Sequence, residues 1–308
     1  MRALFRLRPP PDTLDWVAGA IGRGASIGRV RPLTGGSSSA VHAIDAVDRR
    51  GARHRLVLRR YLRPEWRHER LPHHEARVLE ALWAAGLPVP RAVAIDARPD
   101  VCDAPAVLMT RLPGRMVLVP EDMDAWLREQ ARPLPAIHAV PVPQRPRLQP
   151  FRPYYDVRGR EPPDWSSQRE AWRAVIDLAT GPRPREPARF LHRDYHPANL
   201  LWQRGRISGV IDWVNACAGP APVDVAHCRR NLAQMFNVAT ADRFLAAYQE
   251  LVGRPVSDYD PYWDALLLLD GSLDASVFQG WEESGLSITL RQVRVRLDRF
   301  AVSIAKRC

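Results

Sequence analysis

LHRDYHPANLLWQRGRISGVIDW, residues 191–213, sets the reading of the whole chain. Its first third crowds His192, Asp194 and Asn199 into a polar loop. Two short runs of strand formers follow, 199–203 and 207–211, joined by the turn sequence Arg204-Gly205-Arg206. The second run ends on Asp212-Trp213. A hairpin this short keeps its ends close, so the sequence predicts that Asp194, Asn199 and Asp212 converge. Two carboxylates and a carboxamide offer hard oxygen ligands for Mg²⁺ and leave one carboxylate to receive a proton. Such a set suits transfer of a phosphoryl group from a nucleotide to a hydroxyl.

A bare His-Arg-Asp triplet says little, since all three are common loop residues. A metal site of alternating His192, Asp194 and His196 is a sharper rival. No further His or Cys cluster at ligand spacing accompanies it. The full pattern, H-x-D-x-x-x-x-N with an Asp thirteen residues later at the end of an apolar strand, is far more restrictive. His192-Arg193-Asp194-Tyr195-His196-Pro197-Ala198-Asn199-Leu200-Leu201 and Ile211-Asp212-Trp213 resemble the catalytic and metal-binding motifs of the aminoglycoside phosphotransferase family. These are small-molecule kinases of protein-kinase-like fold, with choline, macrolide and fructosamine kinases as relatives. The resemblance implies that Asp194 is the catalytic base, that His192 braces its loop, and that Asn199 and Asp212 hold Mg²⁺.

At 308 residues the chain can bury a large core and is long enough for two lobes. No apolar run approaches the ~20 residues of a membrane span. The start, MRALFRLRPPPD, has no long apolar segment after its arginines, so no signal peptide is expected. Four dispersed cysteines without a CxxC fit reduced thiols and a cytoplasmic location. The net charge of +11 raises nucleic-acid binding. Yet Lys306 is the one lysine among 45 basic residues, and the arginines form no stripe interleaved with aromatics. The charge reads as compositional bias, so neither a nucleic-acid nor a membrane partner is expected.

Upstream, 10–22 reads as a helix capped by Asp12 or Thr13. Strands at 30–33 and 40–46 flank Thr34-Gly35-Gly36-Ser37-Ser38-Ser39, a turn whose backbone N–H groups can approach phosphate oxygens. The resemblance places Ser37 nearest the β-phosphate. A third strand, 55–61, carries in that family a lysine for the α- and β-phosphates, and here the sequence departs from the pattern. The substitute is Arg59, after apolar Leu56-Val57-Leu58, while Arg60 reads as solvated. A helix at 65–85 presents Ala76, Leu79, Leu82 and Trp83 on one face and Glu75 as partner for Arg59. Strands follow at 91–95 and 104–110. The resemblance makes Met109 the residue behind the adenine and makes Thr110, Arg111 and Leu112 the hinge that reads its edge.

A second lobe starts at Pro113-Gly114. A helix at 122–131 runs on, by the resemblance, to Ile137-His138. Nine prolines within 133–163 indicate an extended excursion near the acceptor. Asp164 is expected to cap a helix at 164–180. Asp224 either closes the metal loop, as the resemblance implies, or caps the next helix. Further helices are expected at 222–237, 239–252, 259–271 and 287–306. Between Ser257 and Glu283 acidic and aromatic residues alternate, and Asp260, Asp264, Glu282 and Glu283 could receive an amino-bearing acceptor. The plainer reading is that they cap and solvate a helix.

Together these features predict an α+β, two-lobed protein-kinase-like fold. An antiparallel sheet with one helix occupies 1–111, and a mainly helical catalytic and acceptor lobe occupies 112–308. The expected activity is Mg²⁺-dependent transfer of the γ-phosphoryl group of ATP or GTP to a small-molecule hydroxyl. An aminoglycoside-like alcohol is one such acceptor, and antibiotic resistance one such role. The alternatives are a nucleotide-binding regulator without turnover and a metallohydrolase.

Overall fold

The computed structural model describes residues 5–33, 39–143 and 148–307. The chain divides into two compact units, Met1–Gly114 with Ser208–Val214, and Arg115–Ile207 with Asn215–Cys308.

The first unit holds helix α1 (Pro11–Ile21) and strands β1 (Ser26–Pro32), β2 (Ala40–Val47) and β3 (Arg53–Arg60). Helix α2 (Arg70–Ala84) and strands β4 (Ala92–Asp96) and β5 (Ala106–Thr110) complete it. The five strands form one antiparallel sheet in the order β1-β2-β3-β5-β4. Strand alternation sends Leu56 and Leu58 to one face, where they join Val17, Ile44, Ala106 and Leu108 in a core. Each such aliphatic side chain contributes roughly 1.5–3 kcal/mol on burial. The same alternation puts neighbouring Arg59 and Arg60 on opposite faces of the sheet.

Helix α2 begins later than expected, after a 3₁₀ turn at Pro64–Trp66, and buries Glu75, Val78, Leu79 and Leu82. Trp83 stands outside that face, 51% exposed. The apolar stripe is therefore rotated from the one expected. Gly86, at φ 75°, ends the helix in the left-handed conformation. Its N–H and that of Leu87 donate to Trp83 and Leu82 carbonyls, as in a Schellman closure. The returning segment 208–214 is tied in by Val210 N–H to the Pro88 carbonyl (2.9 Å) and the Ser208 hydroxyl to the Pro113 carbonyl (2.6 Å).

The second unit contains α3 (Met123–Ala131), α4 (Pro133–Ala139), α5 (Arg169–Thr180) and β6 (Ala188–Leu191). It continues with β7 (Leu200–Gln203), then β9 (Cys217–Pro220), α6 (Pro222–Met235), α7 (Val238–Val252), α8 (Tyr262–Leu269), α9 (Gln279–Glu283) and α10 (Leu290–Ala305). Strand β8 (Arg206–Val210) pairs with β7, and the division between units falls within it. Strands β6 and β9 form a separate antiparallel pair. Helix α6 packs on α7, α8 and α10, and α5 packs on α8 and α10.

The prolines at 133 and 135 do not end the helical run. They fall in the first turn of α4, where an N–H has no helical partner to lose. The extended excursion therefore starts only after Ala139. Asp164 does not cap α5, which begins at Arg169. Its tie to the core is instead Asp298 of α10, which accepts the Trp172 indole N–H (2.9 Å) and the Ser166 hydroxyl (2.6 Å). Among the described residues no helix is long and apolar enough to cross a membrane.

Candidate catalytic site

In the second unit, β6 delivers the chain into the loop that holds His192, Asp194 and Asn199. Arg193 adopts φ 73°, a left-handed conformation that costs a non-glycine residue of order 1–2 kcal/mol. Three contacts offset that cost. The N–H groups of His192 and Arg193 both donate to the buried Asp224 carboxylate, at 2.9 and 2.7 Å. The Arg193 guanidinium lies 4.0 Å from the centre of the Tyr154 ring and 4.7 Å from that of Phe151. It also pairs with Asp270, buried beside it.

Asp224 is thus neither a helix cap nor free for a ligand. It stands in the first turn of α6 and accepts, besides the loop, His138 Nε2 at 3.2 Å. Burial pushes its carboxyl up, but the hydrogen bond and charge of His138 outweigh that and hold it below the usual carboxylate range.

Asp194 is 30% exposed at its side chain. Its N–H donates to Nδ1 of fully buried His192 at 3.2 Å. Oδ1 meets His227 Nε2 at 3.0 Å and His196 Nε2 at 3.7 Å. The Asn199 amide Nδ2 donates to the Asp194 carbonyl at 2.9 Å and approaches Oδ2 at 3.4 Å. Burial works against ionisation of Asp194. The imidazoles of His196 and His227 overcome it and hold the carboxyl well below its usual range. His227 was not singled out from the sequence. Its signal was there, because Asp224 and His227 lie three apart on a helix and share a face.

In the first unit, the Arg59 side chain is 8% exposed and donates from Nη1 to Asp212 Oδ1 at 2.7 Å. Its Nε forms an ion pair with Glu75 Oε1 at 3.5 Å, the partner expected. Burial alone would lower the guanidinium pKa, but the carboxylates of Asp212 and Glu75 raise it above the ordinary arginine value. Glu75 is fixed further by the Tyr61 hydroxyl at 2.6 Å. Asp212 has φ 69°, a second strained non-glycine position. Arg60 is not solvated: it is 1% exposed and pairs with Asp103 at 2.5 Å.

Met109 and Thr110 lie on β5, where the Thr110 hydroxyl accepts the Arg91 N–H at 2.9 Å. Leu112 packs so closely on Gly209 that a Cβ there would come 2.5 Å from its Cδ1. Ser37 lies outside the described residues.

Among the described residues no three His, Cys, Asp or Glu side chains are arranged to hold a metal ion. The donor chemistry of the expected Mg²⁺ ligands nevertheless fits. Asn199 commits its amide nitrogen to the loop, which leaves its oxygen as the ligating atom. Asp212 commits Oδ1 to Arg59, leaving Oδ2. Of the carboxylates expected to meet a cationic acceptor, Asp260, Glu282 and Glu283 are exposed, and one is not available. Asp264 is fully buried, bound to Arg229 at 2.9 Å, Arg307 at 2.7 Å and the Tyr259 hydroxyl at 2.9 Å.

A thermostable mutant of the aminoglycoside phosphotransferase APH(4)-Ia, crystallised with AMP-PNP and hygromycin B, superposes with a TM-score of 0.60. It is 16% identical, with 95% of this chain and 97% of that one covered. The macrolide 2'-phosphotransferase of Brachybacterium faecium gives 0.55 at 21% identity over 84% and 88% of the two chains. N-acetylmuramate/N-acetylglucosamine kinase of Neisseria meningitidis serogroup B is 34% identical over 64 residues, 21% of this chain. That match spans only 19% of the length of the Neisseria protein. Residues 29–266 match the phosphotransferase enzyme family. The chain belongs to that family, whose members are small-molecule phosphotransferases of protein-kinase-like fold.

Proposed function

We propose that this protein transfers the γ-phosphoryl group of ATP or GTP to a hydroxyl of a small molecule, in the cytoplasm. The observation that carries the reading is Asp194, a carboxylate kept ionised yet accessible at the tip of a loop tied down by Asp224. Asp194 receives the hydroxyl proton as the oxygen attacks phosphorus. Arg59 supplies the phosphate-facing cation, steered by Glu75. Mg²⁺, where bound by Asn199 and Asp212, neutralises phosphate charge. Ser37 and the stretch Met109 to Leu112 contact the nucleotide.

Asp264 is internally paired, whereas Asp260, Glu282 and Glu283 stay exposed for an amino-bearing acceptor. The test is acceptor-dependent nucleotide consumption across aminoglycosides, macrolides, N-acetylated and acidic sugars, and simple amino alcohols. Turnover with one class supports the reading, and no turnover with any hydroxyl compound overturns it. One observation favours the regulator without turnover, namely that Arg59 is occupied by two carboxylates, one of them Asp212. Nucleotide binding with no acceptor-dependent consumption would decide for it.

A further inference from the structure

The two oxygens of Asp194 have unequal surroundings. Oδ1 accepts from His227 at 3.0 Å, whereas among the described residues Oδ2 has only the long 3.4 Å approach of Asn199. We propose that His227 is a positioning residue for Asp194: its Nε2–H fixes Oδ1 and thereby presents Oδ2 to the acceptor hydroxyl. The proposal rests on the phosphotransferase reading above.

His227 stands on α6 three residues beyond Asp224, and Asp224 holds the loop backbone from that same helix. One element, packed on α7, α8 and α10, thus fixes both the backbone and the side chain of the base. His196 is the poorer holder, 0.7 Å farther from Oδ1 (3.7 against 3.0 Å), with Nδ1 accepting the Ala198 N–H. In the transfer, the hydroxyl proton passes to Oδ2 as the acceptor oxygen bonds to the γ-phosphorus. The bond from that phosphorus to the bridging oxygen breaks, and the nucleoside diphosphate leaves with the electron pair. Asp194 then releases the proton to solvent. An unheld carboxylate rotates among wells and aligns Oδ2 only part of the time.

The test uses the full chain carrying His227→Ala, His227→Met, which fills the space without a donor, and His227→Gln, which retains an N–H. With the acceptor from the screen, His227→Ala and His227→Met lower kcat by about 10–100-fold. His227→Gln recovers most of it, and the nucleotide KM stays constant in all three. In an Asp194→Asn background, His227→Met has no further effect on kcat. A readout that needs no acceptor is the ¹⁵N resonance of the His227 imidazole, which shifts on Asp194→Asn. A resonance that ignores Asp194→Asn overturns the contact. A shifted resonance with wild-type kcat in His227→Met overturns the positioning role. A shifted resonance with no turnover of any acceptor overturns the phosphotransferase reading, and the role falls with it.

Discussion

At Asp194 the geometry makes a defined demand on mutagenesis. Asp194→Asn keeps the backbone hydrogen bonds that shape the loop but removes the proposed proton acceptor. It should lower kcat by ~10²-fold or more with nucleotide affinity nearly unchanged, as read by steady-state kinetics and calorimetry. Arg59→Ala should weaken nucleotide binding and turnover, and Arg59→Lys should retain part of both, because charge survives where bidentate geometry does not. The neighbouring residue behaves differently. Arg60 is buried against Asp103, so Arg60→Ala should cost roughly 1–3 kcal/mol of stability in a denaturant titration while sparing nucleotide affinity. Arg59 and its partner Glu75 were legible because strand alternation and helix spacing are local rules. The fate of Arg60 was not, since Asp103 and the Leu7 carbonyl that receive it lie 43 and 53 residues away. His227 was legible only in part: its spacing from Asp224 is local, but its partner Asp194 is brought to it by another segment.

Among the elements, α6 carries the greatest load, holding the loop through Asp224 and the helical packing through Arg229. Buried Arg229 joins buried Asp264 and the exposed Asp242, so α6, α7 and α8 share one charge network. Asp264→Ala leaves the buried Arg229 with Asp242 alone as a carboxylate partner among the described residues, and it should cost about 3–5 kcal/mol by chemical denaturation. Burial raises the Asp264 carboxyl, but Arg229 and Arg307 outweigh it and leave the group below its ordinary 3.8. A carboxylate depressed on folding stabilises above its unfolded value and loses that contribution as pH falls toward the folded one. Stability should therefore decline below about pH 4, and Asp264→Asn should flatten that decline in acid titrations followed by circular dichroism. The sheet strands β1 to β5, the β7–β8 hairpin and most helices could be read to within a few residues from apolar period and turn chemistry. The short β6 and β9, which pair with each other, could not. Helix α4 could be read only by resemblance, because proline composition hides the fact that first-turn prolines sacrifice no hydrogen bond. Asp264 of α8, expected at the acceptor, is instead buried, because sequence gives charge but not burial.

For the molecule as a whole, nucleotide linkage offers the broadest check. ATP or GTP with Mg²⁺ at 100 times its dissociation constant should add about 2.7 kcal/mol of stability, visible as a raised melting temperature. Chelation with EDTA, or Asp212→Ala, should abolish that rise. Family membership and fold class followed from one 23-residue stretch, whereas nothing in composition marks 208–214 as belonging with the first unit. That return has a consequence for synthesis on the ribosome. After Gly114 is polymerised, the 93 residues of 115–207 must be translated before Ser208–Val214 appears. At ~5–20 residues per second the delay is about 5–20 s. Throughout it the nascent chain has Arg59 and Glu75 but not Asp212, and Leu112 has no Gly209 to lie against. The amino-terminal unit is born incomplete, and a chaperone or protease meeting it in that interval encounters a chain that cannot yet close.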